Sequence, residues 1–195
     1  MRGALSLYAF LALGFYLVFP KYGEDGWKAF VPVWRWGIHA RHVGMKRPFW
    51  LLCALSVLVF IMLMIGYATM GGLSAPAGSA PRTIAMLLGD LSIYMSLALF
   101  VLVIPAFMGV LAARTARHFN KPLWFAAGLA VLWPAFMIAL GVDKHAEYLP
   151  HGSVAHSKND RLVELGFAVL AVVVAFALFL TVSSLAFSLG LPDQQ

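Results

Sequence analysis

Residues 162–189, LVELGFAVLAVVVAFALFLTVSSLAFSL, carry one charged side chain, Glu164. About 20 apolar residues in a helix cross the ~30 Å hydrocarbon core of a bilayer. This stretch is longer than that, so its helix must tilt or protrude. Four more stretches qualify, at approximately 4–20, 49–70, 84–113 and 123–141. The chain as a whole is 62% hydrophobic and 11% charged, against the ~25% charged of a soluble domain. The fold class expected is therefore all-α: a polytopic membrane helix bundle of about five transmembrane helices, forming a single integral membrane domain over residues 1–195.

Punctuation along the chain fits that frame. The first stretch is read as a retained helix, because one Arg precedes it and FYLVFPKYG (residues 15–23) has no small-residue cleavage site. Pro105 and Pro134 fall inside the third and fourth stretches, where each removes a backbone donor and should kink its helix. Cys53 is the sole cysteine, so no intrachain disulfide can form. With five spans, loops 21–48 and 114–122 share a side with the C-terminus and carry nine Lys and Arg residues, against five on the other side. The positive-inside bias then places the N-terminus out and the C-terminus in.

One phrase occurs twice: ARHVGMKRPFW at 40–50 and ARHFNKPLW at 116–124. Each copy directly precedes an apolar stretch, and each part has a use there. Pro48 and Pro122 suit the first turn of a helix. Trp50 and Trp124 suit headgroup depth. Arg41, Lys46, Arg47, Arg117 and Lys121 can reach lipid phosphates while their stems lie on apolar surface, and His42 and His118 sit beside them. Upstream, residues 32–43 can be laid on a short interfacial helix. Its polar face would hold Arg35, His39, His42 and Lys46, and Val33, Trp36, Ala40 and Val43 would line another face. Together these residues make a candidate rim for lipid headgroups or a protein partner.

Other candidates carry less. Asp90 is the one acidic residue read as lying within a span without adjoining its polar end. A carboxylate at membrane depth is a functional suspect, and one near a span's start can also sit at the interface or cap a helix. The loop VDKHAEYLPHGSVAHSKND, residues 142–160, offers His145, His151 and His156 as weak metal ligands, at spacings that match no common structural zinc pattern. Heme or quinone chemistry calls for histidines inside spans, and all six fall in loops, so no cofactor is expected.

The segment Gly26-Trp27-Lys28-Ala29-Phe30-Val31-Pro32-Val33-Trp34 resembles a motif of an uncharacterised bacterial polytopic membrane family, G-W-x-A, a hydrophobic pair, Pro, a hydrophobic residue and an aromatic. RPFW (47–50) is similar to that family's span start, and ARHFNK (116–121) to its ARSFGK-like segment. The family has Tyr-Asn where this chain has Trp34-Arg35. The module is also similar to the membrane anchor preceding the catalytic domain of type I signal peptidases of the Bacteroidetes kind, over roughly residues 8–142. The resemblance implies a multi-pass protein of the bacterial cytoplasmic membrane. Those proteases use a Ser–Lys dyad in an external domain. Here Ser183 and Ser184 lie near the end of the last stretch and no lysine follows Lys158, so the dyad cannot be assembled. An anchor of that kind implies an external C-terminus; the five-span charge count implies an internal one and is adopted at this point.

The function expected is a non-enzymatic membrane accessory or scaffold that packs against another membrane protein, or against itself, or organises anionic lipid. Nucleic acid is not expected as a partner, because the cations are spread over short loops. The alternatives are a small transporter or channel subunit, with Asp90, Pro105 and Pro134 lining one cavity, and a metal-dependent intramembrane enzyme.

Overall fold

Proline and left-handed turns decide where the helices of this chain stop. The computed structural model describes residues 2–68, 80–150, 153 and 158–190, and its regular structure among those residues is entirely helical. The α-helices are α1 (Arg2–Val18), α2 (Pro32–His42), α3 (Lys46–Ala68), α4 (Ala80–Ala98), α5 (Ile104–His118), α6 (Leu123–Val131), α7 (Trp133–Val142) and α8 (Lys158–Gly190). Two 3₁₀ turns, Phe19–Tyr22 and Gly26–Phe30, link α1 to α2. Three helical segments are long and apolar enough to cross a membrane: Lys46–Ile65, Gly89–His118 and Asn159–Thr181.

The kink expected at Pro105 takes the form of a π turn. Leu99–Val103 widens the helix, so that the Ile104 amide reaches back to the Leu99 carbonyl. A proline ring clashes with the carbonyl four residues back, and one wide turn relieves that clash without ending the helix. Asp90 lies exposed within the uninterrupted helix α4, so it does not cap a helix.

The fourth stretch departs further from expectation. It is broken at Leu132, whose backbone leaves the helical region (φ −121°, ψ 50°), and Pro134 then starts α7 as a first-turn proline. The chain reverses there. Trp124 and Phe125 near the start of α6 both pack on Phe136 of α7, and Lys121 before α6 pairs with Asp143 after α7. Residues 123–142 are thus a helical hairpin whose two ends meet. At 9 and 10 residues, each arm is about 14 Å long, half a hydrocarbon core. A single span over 123–141 is not what the chain builds.

Two compact units divide the chain: Met1–Phe49 with Ala106–Val173, and Trp50–Pro105 with Val174–Gln195. In the first, α1 runs parallel to α7. A side-chain carbon on Gly14 would meet Met137, and one on Gly141 would meet Leu17. Gly109 brings α5 equally close to α8, since a Cβ there would fall on the Phe167 carbonyl. Arg114 clamps this end of the unit, with both terminal branches of its guanidinium in use. It donates to both carboxylate oxygens of Glu164, at 3.0 and 2.9 Å, and to the Gly44 carbonyl. Arg117 adds Asp160 and Glu164. In the second unit, large apolar side chains predominate among the described outer residues of the helices, with Asp90 an exposed exception. A cavity of about 220 Å³ there is lined by Tyr94, Leu97, Val101, Phe176 and Phe179 among others.

Candidate functional site

The twice-written phrase proves to be a helix ending before it is a helix beginning. In the first copy Gly44 takes a left-handed conformation (φ 74°), its amide donates to the Arg41 carbonyl, and the Met45 amide donates to the Ala40 carbonyl. In the second copy Asn120 is left-handed (φ 49°), its amide donates to Arg117, and the Lys121 amide donates to Ala116. This paired bonding is the Schellman termination, for which Gly and then Asn are the residues of choice. Each copy therefore means the same thing: Ala buried, Arg outward to a carboxylate, His, a buried apolar residue, then the left-handed turn. Ala40, Val43, Ala116 and Phe119 are all buried. Arg41 pairs with Glu24, and Arg117 with Asp160 and Glu164.

The two histidines face a shared neighbour. The Tyr148 ring lies edge-on to His42 at 5.6 Å and stacks on His118 at 5.9 Å. Tyr148 also donates its hydroxyl to the His42 carbonyl, and the Leu149 amide donates to the His118 carbonyl. His118 Nδ1 returns a hydrogen bond to the Leu149 carbonyl. The segment after α7 thus caps two helix ends at once, filling carbonyls that have no partner within their helices.

Beneath this lies a buried polar chain. Thr115 gives its only hydroxyl proton to the Leu111 carbonyl, so it must accept from His39 Nε2 at 2.8 Å. That fixes His39 as the Nε2–H tautomer, leaving Nδ1 to accept from the Tyr22 hydroxyl at 2.7 Å. Phe15 and Trp133 meet the imidazole edge-to-face at 5.5 Å each. Burial, with the neighbouring His42 and His118, pushes the His39 pKa down to about 3. Burial also raises the Tyr22 phenol well above its ordinary value. Both groups are neutral at physiological pH.

The polar face of α2 therefore points inward, which corrects its expected role as a headgroup-facing stripe. Arg35 is 4% exposed, and His39 is sealed. The Arg35 guanidinium lies over the Tyr8 ring at 4.9 Å and donates to the Ala29 carbonyl at 3.5 Å, while its Nε has no acceptor among the described residues. The outward face of α2 carries Val33 and Trp34. The reason is chemical. Tyr22, Thr115 and a bare 3₁₀ carbonyl offer partners inside, and an apolar outer face costs nothing against lipid.

The remaining candidates are spread out. Glu24 holds Lys28, Arg41 and His42, and its carboxyl is held below its usual range, first by the Lys28 hydrogen bond. His42 is lowered by burial. Lys121 is committed to Asp143. Lys46 and Arg47 are exposed, with no polar partner among the described residues; Trp50, just after them in sequence, is 49% exposed, and Trp124, just after Lys121, is 67% exposed. His145 is exposed, its backbone amide bonded to Asp143. His151 and His156 lie outside the described residues, and among those described no group of three metal-ligating side chains converges.

A groove of about 610 Å³ opens in this unit, lined by Lys21, Tyr22, Gly23, Arg41, His42 and Tyr148 among others. Lys21 was not among the sequence candidates. Its ammonium donates to the Asp143 and Ala146 carbonyls, a contact between residues more than 120 apart that no local pattern announces. Comparison with protein families, with curated proteins and with solved structures finds no match.

Proposed function

We propose that this chain is a non-enzymatic multi-pass scaffold of the bacterial cytoplasmic membrane that organises anionic lipid along its inner boundary. The observation that carries the reading is the pair Lys46 and Arg47, exposed and without a polar partner among the described residues, at the start of the first long apolar helix, one turn from exposed Trp50 and Leu51. Cations that the protein does not neutralise, at the depth where an indole is half wet, match lipid phosphates.

Topology supports the same reading. The start of α3, the end of α5 and the start of α8 meet through Arg114 and Arg117, so they share one membrane face. The hairpin 123–142 leaves that face and returns to it, a re-entrant element and not a span. The chain would then cross three times in full, with α1, at 17 residues or about 25 Å, reaching most of the way across. The shared face then holds twelve of the fourteen Lys and Arg residues, those of 21–47, 114–121 and 144–161, leaving Arg2 and Arg82 elsewhere. This bias is far steeper than the five-span count. It makes the shared face cytoplasmic and sends α8 outward, with the C-terminus outside. That orientation is also the one implied by the resemblance to signal-peptidase anchors.

The test is lipid retention by the purified chain, read by native mass spectrometry. Wild type should hold phosphatidylglycerol in preference to phosphatidylcholine. Lys46→Gln with Arg47→Gln should lower that retention about ten-fold or more, each cation near an anionic surface contributing ~1 kcal/mol. Unchanged retention in the double variant would reject the reading. Loss of a co-purifying protein, with retention unchanged, would point to a protein partner instead.

A further inference from the structure

We infer that the groove between the ends of α1 and α2 and the segment after α7 is a binding site for the phosphate group of an inner-leaflet phospholipid, separate from the Lys46–Arg47 rim. Its two cations are placed by the fold and do not hang free. Arg41 is fixed through one terminal nitrogen on Glu24, which leaves its other N–H groups to donate. Lys21 is fixed on two backbone carbonyls, which leave its third proton without an acceptor among the described residues, and the nearby Asp143 carboxylate is itself bound to Lys121. Side chains immobilised before binding lose little entropy when a ligand arrives.

The floor between them is aromatic. Tyr22 stacks on His42 at 4.6 Å with planes 7° apart, and Tyr148 meets Tyr22 edge-on at 4.8 Å. The Tyr22 hydroxyl is turned inward to His39, so the ring, and not the polar tip, is what Tyr22 gives the groove. Gly23, left-handed at φ 74°, leaves one wall open, with nothing within 4 Å of where a side chain would start. An ammonium and a guanidinium over an aromatic floor fit a phosphate ester on a short apolar stem, the chemistry of a glycerophospholipid headgroup.

Depth agrees. His42 lies four residues before the apolar window that begins at Lys46, and His118, stacked on Tyr148, ends another. The groove is therefore at headgroup level on the cationic face. The inference rests on the membrane orientation proposed above for the source of the phosphate, though not on the rim.

The test uses the full chain in detergent, with a charge-only variant pair. Gly23→Asn and Gly23→Asp make the same demand on a left-handed backbone that Asn and Asp tolerate; they differ only in a carboxylate at the groove's mouth. Phosphatidylglycerol retention should fall about five-fold in Gly23→Asp relative to Gly23→Asn, and again in Arg41→Gln, while Arg82→Gln, a cation that the proposed topology sets on the opposite side of the membrane, leaves it unchanged. Equal retention in the Asp and Asn variants overturns the site. If the rim variants lose lipid and the groove variants do not, the rim stands alone. If only the groove variants lose lipid, the groove stands and the rim fails. Calorimetric titration with glycerol 3-phosphate separates sources: weak or no binding is expected if the stem's membrane anchorage matters, whereas binding as tight as that of lipid would reassign the groove to a soluble phosphate ester.

Discussion

His39 shows how much of this protein is decided by single polar groups under cover. Both ring nitrogens are satisfied in the neutral ring, Nε2 donating to Thr115 and Nδ1 accepting from Tyr22, so a proton on Nδ1 would require the Tyr22 hydroxyl to turn from donor to acceptor in a sealed site. The unfolded chain has the ordinary value near 6.5 and the folded one about 3. Below 6.5 the unfolded state therefore binds the proton that the folded state refuses. Stability from this residue is complete above pH ~6.5 and drains as pH falls toward 3, by about 1.4 kcal/mol per pH unit. His39→Ala should flatten that acid slope in detergent unfolding, and at pH 7.5 should cost about 3 kcal/mol through the stranded Tyr22 and Thr115 hydroxyls and the lost packing. An unaltered acid slope would assign it elsewhere, first to His42, which burial also lowers. The sequence places Arg35, His39 and His42 on one face of a helix. It cannot say which way that face turns, because the deciding partners sit at positions 8, 22, 115 and 133.

At the scale of elements, the repeated phrase was legible as a repeat and misread in its grammar. Pro48 and Pro122 pointed forward, to the helices they begin. The informative residues pointed back: Gly44 and Asn120 sit at matching places and are the two residue types that accept a left-handed turn. Asn carries a Cβ and Gly does not, so the copies are unequal. Asn120→Gly should leave stability unchanged or raise it by a few tenths of a kcal/mol, while Gly44→Ala should lower it by about 1 kcal/mol. Thermal unfolding of the two variants side by side checks this, and an Ala tolerated at 44 would mean the termination is not held in solution. Proline also gave its position without its consequence. Pro105 is absorbed by a π turn inside a continuous helix, whereas Pro134 begins a new helix after a reversal. What separates them is local company. The Trp133-Pro134 pair follows a residue outside the helical region and folds back on α6 through Phe136, a tertiary contact that hydropathy does not encode.

For the whole molecule, membrane class and the long helices at 46–65, 89–118 and 159–181 were plain from apolar run length, since lipid demands about 20 such residues and little else supplies them. Span count was not plain, because a run of about 19 apolar residues is the same string whether it crosses once or bends in the middle. Orientation follows from that one choice, as Lys144, Lys158 and Arg161 change sides with it. The measurement that decides is the side of the segment after α7. Ser153→Cys, exposed in the structure, in a Cys53→Ser background, would be probed with a membrane-impermeant maleimide in intact cells and in inverted vesicles, with an epitope after Gln195 read in parallel. Residue 153 is expected to be labelled only in inverted vesicles, with the epitope accessible from outside. Labelling of residue 153 in intact cells, with the epitope protected, would mean that 123–142 crosses the membrane after all and that the five-span, C-terminus-in arrangement is the true one.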